Sequence, residues 1–417
     1  MREMKDSGIE WVGKVPATWK IMPNKYIMTK KKVIKEVYDD ENIISLSMNG
    51  VIVRDLEAGG KMPKTFDGYQ IVYPGNLLMC LFDYDVIPRC IGLIKDYGVT
   101  SPAYSQFVMN NGNYSGYYYY YYLMVDRTKA LLHLAKNLRH SFTEEQLGAI
   151  LAPVPTIEEQ HQIVHYLDTQ CSEIDATAED IQKEISLLED YKKSVITEAV
   201  TKGLNPDAEM KDSGIEWIGE IPKDWKAIKN LYLFREFVVP ANKNDKSLSL
   251  SQKDGLVFTD EMKESSLKTS SYENWKHVEI GNLVLNRFKA HLGVLFSSKY
   301  VGMVSFHYGV YKEITTLISK YYEYLFHTDN FMTIFAGLSN GVTIGLQNLS
   351  NQNFYSVKSI YPPVDEQKII VQYLDTKCSE IDTLIADKKR QLDILADYKK
   401  SLIYEYVTGK KEVPVNE

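Results

Sequence analysis

The sequence lacks any uncharged apolar run close to the roughly 20 residues that a membrane-spanning helix requires. Its first six residues have no apolar core of the kind that marks a signal peptide. The four cysteines form no CxxC pair and no dense disulfide framework, so we expect a reducing, cytoplasmic environment. Basic residues are not in excess, because 48 Lys and Arg stand against 55 Asp and Glu, for a net charge of −7. Taken alone, this balance argues against a polyanion such as DNA as a partner.

An internal repeat is the clearest positive feature of the 417 residues. The segment MKDSGIEW at 4–11 recurs letter for letter at 210–217. The segment YLDTQCSEID at 166–175 recurs with one change at 373–382, and DYKKS at 190–194 recurs at 397–401. The first block is offset by 206 positions and the other two by 207, which indicates two complete copies of one unit.

Each copy has a near-constant start, a variable middle and a near-constant tail. The middles contain short apolar runs punctuated by Gly, Pro and Asn, such as 50–53 and 283–285, and this pattern predicts β-strands. Local helices are predicted near 128–138 and 321–326. Near-constant starts and tails around different middles are typical of one scaffold that presents two different recognition surfaces.

The tails predict two long helices. Apolar residues recur there in steps of four and three, which is a heptad seam. The seam residues are Leu167, Cys171, Ile174, Ala178, Ile181, Ile185, Leu188 and Val195 in the first tail, and Leu374, Cys378, Ile381, Ile385, Leu392, Leu395 and Leu402 in the second. A helix of about 40 residues is roughly 60 Å long, too long for an ordinary core helix. Lys388 interrupts the second seam, either to fix the register or as a snorkelling lysine at the edge.

The expected fold class is mixed α+β. We expect two globular domains, β-rich with helices, separated by two long helices packed as an antiparallel coiled coil in a pseudo-twofold molecule.

Signatures of catalysis are missing from the sequence. It contains no GxxxxGK[ST] loop and no GxGxxG after a strand. His161 and His165 stand at i and i+4, but the Glu of a zincin is absent and the second copy has Lys368 and Gln372 there, which favours a solvated or helix-packing role. These absences predict a binding protein rather than an enzyme.

The repeated motifs resemble the specificity subunit of type I restriction–modification enzymes. The resemblance lies in the opening KDSGIEWxGxxPxxW, in the Glu-Gln pairs at 159–160 and 366–367, and in the following YLDT and DYKKS blocks. It covers nearly the whole chain in the order of a target-recognition domain (1–157), a conserved helix (158–205), a second target-recognition domain (206–361) and a second conserved helix (362–417).

The resemblance implies a non-catalytic protein that reads an asymmetric bipartite site in double-stranded DNA. Its implied partners are two adenine methyltransferase (modification) subunits and two motor–nuclease (restriction) subunits. It implies no cofactor on this chain, since S-adenosylmethionine, ATP and Mg would belong to the partners. The sequence agrees in lacking the (N/D)PP(Y/F) methyltransferase motif.

Candidate base readers must lie in the variable middles, because constant parts cannot carry differing specificity. We favour Lys64, Tyr69, Asp83, Tyr84, Asp85, Arg89, Ser101 and Tyr104 in the first middle, and Asn286, Arg287, Lys289, His291, Ser305, Tyr308, Asn340 and Gln347 in the second. The two Asp residues could accept from cytosine amino groups or simply pair with Arg89. The run Tyr117–Tyr122 could stack on unpaired bases, but core or interface packing is the better interpretation.

The net charge of −7 no longer argues against DNA as a partner when it is divided among the segments of the chain. Residues 1–157 and 210–361 each carry +2, whereas 158–209 carry −9 and 362–417 carry −2. Mildly basic heads predict weak DNA binding by the chain alone and reliance on its partners for phosphate contacts. Two alternatives stay open: a related bipartite system whose partner fuses methylation and cleavage, and a two-headed coiled-coil scaffold that binds no nucleic acid.

Overall fold

The computed structural model describes residues 2–57, 63–87, 89–135, 140–252, 255–262, 272–339 and 348–414. The chain divides into two compact units. Unit 1 comprises Met1–Ile181 and Arg390–Glu417, and unit 2 comprises Gln182–Lys389. No helix in these described ranges is long and apolar enough to cross a membrane. The domain limits at 157, 205 and 361 stay a prediction.

Unit 1 is built mainly from short strands. They are β1 (Met4–Asp6), β2 (Lys14–Pro16), β3 (Lys20–Pro23), β4 (Met28–Lys31), β5 (Ile44–Ser47), β6 (Gly50–Val53), β7 (Gln70–Val72), β8 (Leu77–Met79), β9 (Ile91–Leu93), β10 (Gly98–Thr100), β11 (Ser105–Met109) and β12 (Leu151–Val154). Its short helices are α1 (Asn24–Ile27), α2 (Ser115–Arg127) and α3 (Glu144–Ala149), with a 3-10 turn at Leu132–Leu134.

The long helix α4 (Ile157–Lys202) runs for 46 residues and contributes its first part to unit 1 and its second part to unit 2. A capping box begins it, because the Thr156 hydroxyl accepts the Glu159 N–H at 3.2 Å while the Glu159 carboxylate accepts the Thr156 N–H at 3.2 Å.

Unit 2 repeats this plan. Its strands are β13 (Met210–Asp212), β14 (Glu220–Pro222), β15 (Lys226–Lys229), β16 (Phe234–Glu236), β17 (Leu248–Ser251), β18 (Gly255–Phe258), β19 (Lys276–Val278), β20 (Leu283–Asn286), β21 (Leu295–Ser297), β22 (Gly302–Val304), β23 (Tyr308–Glu313) and β24 (Lys358–Tyr361). Its helices are α5 (Ser319–Phe326), α6 (Asp329–Leu338), α7 (Asn351–Ser356) and the long α8 (Val364–Val407), with 3-10 turns at Asn230–Tyr232, Thr259–Glu261 and Arg287–Leu292.

The two units share one sheet topology. A four-stranded antiparallel sheet has the order β4-β11-β8-β9 in unit 1 and β16-β23-β20-β21 in unit 2. The two-stranded pairs β1/β2, β3/β12, β5/β6 and β7/β10 have their counterparts in β13/β14, β15/β24, β17/β18 and β19/β22. The repeat therefore extends through the variable middles, where sequence similarity is faint, and the mixed fold class with two long helices is confirmed.

The helix predicted at 321–326 is confirmed by α5. Of the stretch predicted near 128–138, residues 136–138 lie outside the described residues, and 128–135 hold a 3-10 turn at Leu132–Leu134 in place of an α-helix. The helix lies earlier, at Ser115–Arg127, and contains the tyrosine run. Tyr117, Tyr118 and Tyr121 are fully buried there. This confirms the packing interpretation of the run, because a stacking platform for bases would need exposed rings.

Identical side chains anchor the constant parts to the main chain of the variable middles. The Gln160 amide oxygen accepts the Tyr114 N–H at 2.7 Å, and that of Gln367 accepts the Ile318 N–H at 2.8 Å. Buried Asn24 donates to the Leu147 carbonyl at 2.9 Å. Its equivalent, Asn230, donates to the Phe354 carbonyl at 3.1 Å.

Both units hold parts of α4 and α8 in antiparallel contact along the predicted seam. In unit 1 Lys399 donates to both oxygens of Asp175 at 2.6 Å. In unit 2 Lys192 donates to Asp382 at 2.6 and 2.7 Å. Lys388 reaches Glu184 at 2.5 Å across the helix pair, which favours its predicted role in fixing the register over simple snorkelling. The pseudo-twofold arrangement stays a prediction.

Candidate nucleic-acid interface

Three loops of unit 1 come together and form what we call loop cluster 1. They are the turn 47–50 between β5 and β6, residues 80–87 and 89–90 after β8, and the turn 101–104 between β10 and β11. Arg89 joins the first two loops by donating from Nη1 to the Met48 carbonyl at 3.1 Å. The rings of Phe82 and Tyr104 join the second and third, stacked with centroids 6.2 Å apart. Five of the predicted readers thus lie in one cluster with Arg89.

The Arg89 side chain has a structural role, because its hydrogen bonds go to other groups of unit 1. Besides Met48, its guanidinium donates to the Ile91 carbonyl at 3.1 Å and to the Tyr119 hydroxyl at 2.6 Å. It therefore ties a hairpin turn to α2. The alternative that Asp83 or Asp85 pairs with Arg89 is not realised, because the Arg89 guanidinium donates to the three partners above and the Asp85 carboxylate instead lies 2.8 Å from Nδ1 of His140.

The other candidates of unit 1 differ in accessibility. Tyr84 is a core residue, 4% exposed, with its ring edge-on to Phe142 at 5.0 Å. Asp83 begins a tight turn with a positive φ of 49°, and its carbonyl accepts the Ile87 N–H at 2.9 Å.

The Ser101–Tyr104 turn is held by the buried Gln70 amide, which donates to both carbonyls at 2.9 and 2.7 Å. Burial raises the pKa of the Tyr104 phenol, which keeps it neutral. Lys64 and Tyr69 lie on the connection between β6 and β7, where Lys64 is exposed and Tyr69 is half-buried. The ring centroids of Tyr69 and Phe66 are 5.3 Å apart.

Loop cluster 2 is the equivalent arrangement in unit 2. It comprises Gln252, the 3-10 turn Arg287–Leu292 and the turn 305–307 between β22 and β23. Gln252 donates to the Leu292 carbonyl at 3.3 Å. The rings of Phe288 and His307 lie 5.8 Å apart and join the other two segments.

Arg287 belongs to a charged network that supports this cluster from within. Its Nη2 donates to Glu236 at 2.6 Å and to Asn351 at 2.8 Å, while Lys276 donates to the same Glu236 oxygen at 2.9 Å. Burial opposes ionisation of Glu236, but the hydrogen bond and charge of Lys276, together with the charge of Arg287, lower the pKa of Glu236 below its usual value. The network keeps a carboxylate ionised under the loops.

The remaining candidates of unit 2 are placed as follows. Asn286 caps the 3-10 turn by accepting the Phe288 N–H at 3.1 Å. Lys289 is exposed on that turn, and His291 is half-buried with an Nδ1 that has no partner among the described residues. The Ser305 carbonyl accepts the Tyr308 N–H at 3.0 Å, and burial raises the pKa of the Tyr308 phenol. Asn340 and Gln347 lie outside the described residues.

Exposed apolar side chains at both clusters escape prediction from the sequence. Met48 and Val86 are 73% and 74% exposed in loop cluster 1. Phe306 is 50% exposed in loop cluster 2 and packs against His307 with ring centroids 3.9 Å apart and ring planes tilted by 37°. The adjacent aromatic letters at 306 and 307, in a turn between two strands, are the one signal that could have identified the second pair. Exposed rings beside Lys289 can stack on bases while the cation contacts a phosphate.

The histidine pair of α4 agrees with the solvated or packing role expected for it, since both His161 and His165 are exposed. His161 stacks on Tyr114 with ring centroids 4.0 Å apart. Across the described ranges of the chain, no group of three His, Cys, Asp or Glu side chains is placed to hold a metal ion.

Two curated proteins of Methanocaldococcus jannaschii are similar in sequence. A putative type I restriction enzyme MjaX specificity subunit is 24% identical over 290 residues, 66% of this chain and 62% of that protein. The type I restriction enzyme MjaVIII specificity subunit is 38% identical over 80 residues, 19% of this chain and 17% of that one. The matches therefore span less than two thirds of either relative. No protein-family model matches the chain.

Solved structures share the fold. A chain from a structure of the type I R-M system, described for its complex assembly and conformational transition, matches with a TM-score of 0.67 at 12% identity, over 95% of this chain and 99% of that chain. The HsdS subunit from Thermoanaerobacter tengcongensis matches with a TM-score of 0.52 at 13% identity, and the match covers 95% of this chain and 98% of that subunit. The resemblance to type I specificity subunits that the repeated motifs indicated is thus confirmed.

Proposed function

We propose that this chain is the DNA-specificity subunit of a type I restriction–modification complex and performs no catalysis itself. The observation that carries the proposal is one framework present twice with different loops. Both units have the same sheet order and the same anchoring Gln and Asn, yet they present different side chains at equivalent loop clusters. A protein that reads two different half-sites with one mode of docking requires this combination.

Each loop cluster contacts one half of an asymmetric bipartite site in this proposal. Loop cluster 1 offers Met48, Val86 and the carboxylate of Asp85, whereas loop cluster 2 offers Phe306, His307 and the cation of Lys289. Carboxylates accept from cytosine amino groups, while a lysine contacts guanine or a phosphate. The two half-sites should therefore differ in sequence.

The partners supply the chemistry. Two adenine methyltransferase subunits would bring S-adenosylmethionine, and two motor–nuclease subunits would bring ATP and Mg. The heads each carry a charge of only +2, so much of the phosphate contact would come from these partners, in the cytoplasm.

Mapping adenine methylation in cells tests the proposal. The full chain is expressed with its methyltransferase subunit in a host that lacks both, and methylated adenines are mapped across the genome. We expect one bipartite motif that disappears when the chain is omitted. An exchange of residues 305–308 for residues 101–104 should change only one half of the motif. Methylation that is unaffected by omission of the chain would refute the proposal, and so would chain-dependent binding that ignores both DNA sequence and salt.

A further inference from the structure

Unit 1 contains a cavity of about 410 Å³ where the end of α2 meets α4 and α8. Its floor is apolar and includes Ile174, Leu392 and Leu395 of the helix seam, while Arg127, Lys129 and Lys400 lie around it. The volume falls in the range of about 300–1,000 Å³ that is typical of small-molecule sites.

The cavity arises from a difference between the two copies of the seam. Ala178 in unit 1 occupies the position of Ile385 in unit 2, since the tails are offset by 207. In unit 2 the local seam is closed, with Ile185, Ile381 and Ile385 only 1%, 3% and 8% exposed. In unit 1 the equivalents Leu392, Ile174 and Ala178 are only half-buried. A shorter side chain at one seam position thus leaves apolar surface open to a ligand.

The charge around the cavity is positive once existing pairs are taken into account. Asp126 is satisfied by Lys129 at 2.8 Å and by the Cys90 N–H at 2.7 Å. Asp175 is held through both oxygens by Lys399 at 2.6 Å. Both carboxylates of the cavity are therefore already neutralised.

The Arg127 guanidinium has no such direct partner. It forms no hydrogen bond and no ion pair with any side chain or carbonyl in the described part of the chain, and it is exposed to solvent in the cavity. Desolvation by the surrounding protein, and then repulsion from Arg89, lowers the pKa of Arg127, against smaller opposing effects of Tyr119, Cys171 and Asp175. Lys400 is a second exposed cation, and it pairs with Asp397 one turn away on the same helix at 2.8 Å. A negative group at this rim would relieve the repulsion.

We propose that this cavity is a ligand site of unit 1 for an anion with an apolar or aromatic body. The body lies on the open seam at Ala178, and the anionic group, such as a phosphate or sulfonate, lies at Arg127 and Lys400. We expect no such site in the described part of unit 2, because Ile385 closes its seam. The site is independent of the proposed DNA reading.

Titration of the full chain with 8-anilinonaphthalene-1-sulfonate, followed by its fluorescence, tests the site. We expect saturable binding that Ala178→Ile weakens about tenfold or more by filling the floor. Arg127→Gln should weaken it about fivefold, as expected for one solvent-accessible charge contact. Ile385→Ala is the matched control, because it opens the seam of unit 2 without an arginine and should add no second site of comparable affinity.

The variants separate ligand binding from folding. Ala178→Ile copies the residue of the other unit and should keep or raise the Tm, so its loss of binding cannot be attributed to unfolding. Inorganic phosphate should fail to displace the dye because it lacks an apolar body. Unchanged binding in Ala178→Ile would overturn the site itself, and unchanged binding in Arg127→Gln would overturn its preference for anions.

Discussion

Replacing Arg287 with alanine should lower the free energy of unfolding of unit 2 by about 2–3 kcal/mol. The side chain makes one charge-assisted bond to Glu236 at 2.6 Å and one bond to Asn351 at 2.8 Å, and both charged partners are about one-fifth exposed. Losing the first costs about 1.5–3 kcal/mol and losing the second about 1 kcal/mol. Lys276 remains 2.9 Å from Glu236, so the carboxylate keeps one cation and the loss stays near the lower end of the sum.

Lys289→Ala is the matched control on the same 3-10 turn. Its side chain is exposed, so the change in stability should stay within about 0.5 kcal/mol. If it contacts a phosphate, its loss should weaken DNA binding for all sequences and reduce the slope of log affinity against log salt by about 1. Urea unfolding followed by tryptophan fluorescence measures the first quantity, and fluorescence anisotropy of labelled duplex DNA measures the second.

The two variants should therefore have different defects. Arg287→Ala should lower the stability of unit 2, whereas Lys289→Ala should weaken DNA binding. An Arg287→Ala protein as stable as the parent that can no longer discriminate between DNA sequences would refute the reasoning. Arg287 would then be a base reader and its bond to Glu236 would be incidental.

Three further outcomes are expected. Tyr321→Phe should cost about 1–3 kcal/mol in urea unfolding, because its buried hydroxyl donates to the Val200 carbonyl at 2.7 Å and that acceptor would lose its partner; the exposed Tyr232→Phe should be neutral. Because the pKa of Glu236 is lowered in the folded state, its ionised carboxylate adds to the free energy of unfolding. This stabilisation is fully present above about pH 4.3 and is lost as the pH falls through the folded-state pKa. The stability difference between the parent and Glu236→Gln should consequently shrink when unfolding is measured from pH 7 down to pH 3. Phe306→Ala should weaken recognition of one half-site only, measured by anisotropy with each half-site mutated in turn, whereas Tyr272→Ala, equally exposed in unit 2, should not.

The two-copy organisation and the long helices can be predicted from the sequence, because the repeated blocks and the heptad spacing are unambiguous. Letter-for-letter repeats define two copies, and the steps of four and three place Leu167 and Leu374 on a seam where both are fully buried. These signals need no knowledge of tertiary contacts.

The loops are predictable only in part. The sequence singles out the stretches around Arg89 and Arg287, and the structure places both in loop clusters; whether they read DNA stays a prediction. It does not reveal that Tyr84 is buried or that Arg287 is bound by Glu236, because these depend on contacts with residues about 50 positions away. The position of α2 was missed for a related reason: a run of tyrosines has low helix propensity, and only burial against the core makes it helical.

The anchors formed by Gln160, Asn24 and their equivalents bond to main-chain groups of the variable middles. Every residue offers a carbonyl, and every residue except proline offers an N–H, whatever its side chain. The constant parts therefore hold the middles without constraining which letters they contain. A middle can diversify, or be exchanged as a cassette between the copies, while its attachment to the scaffold survives. Under the proposed function, a new DNA specificity would require changes in the loops alone.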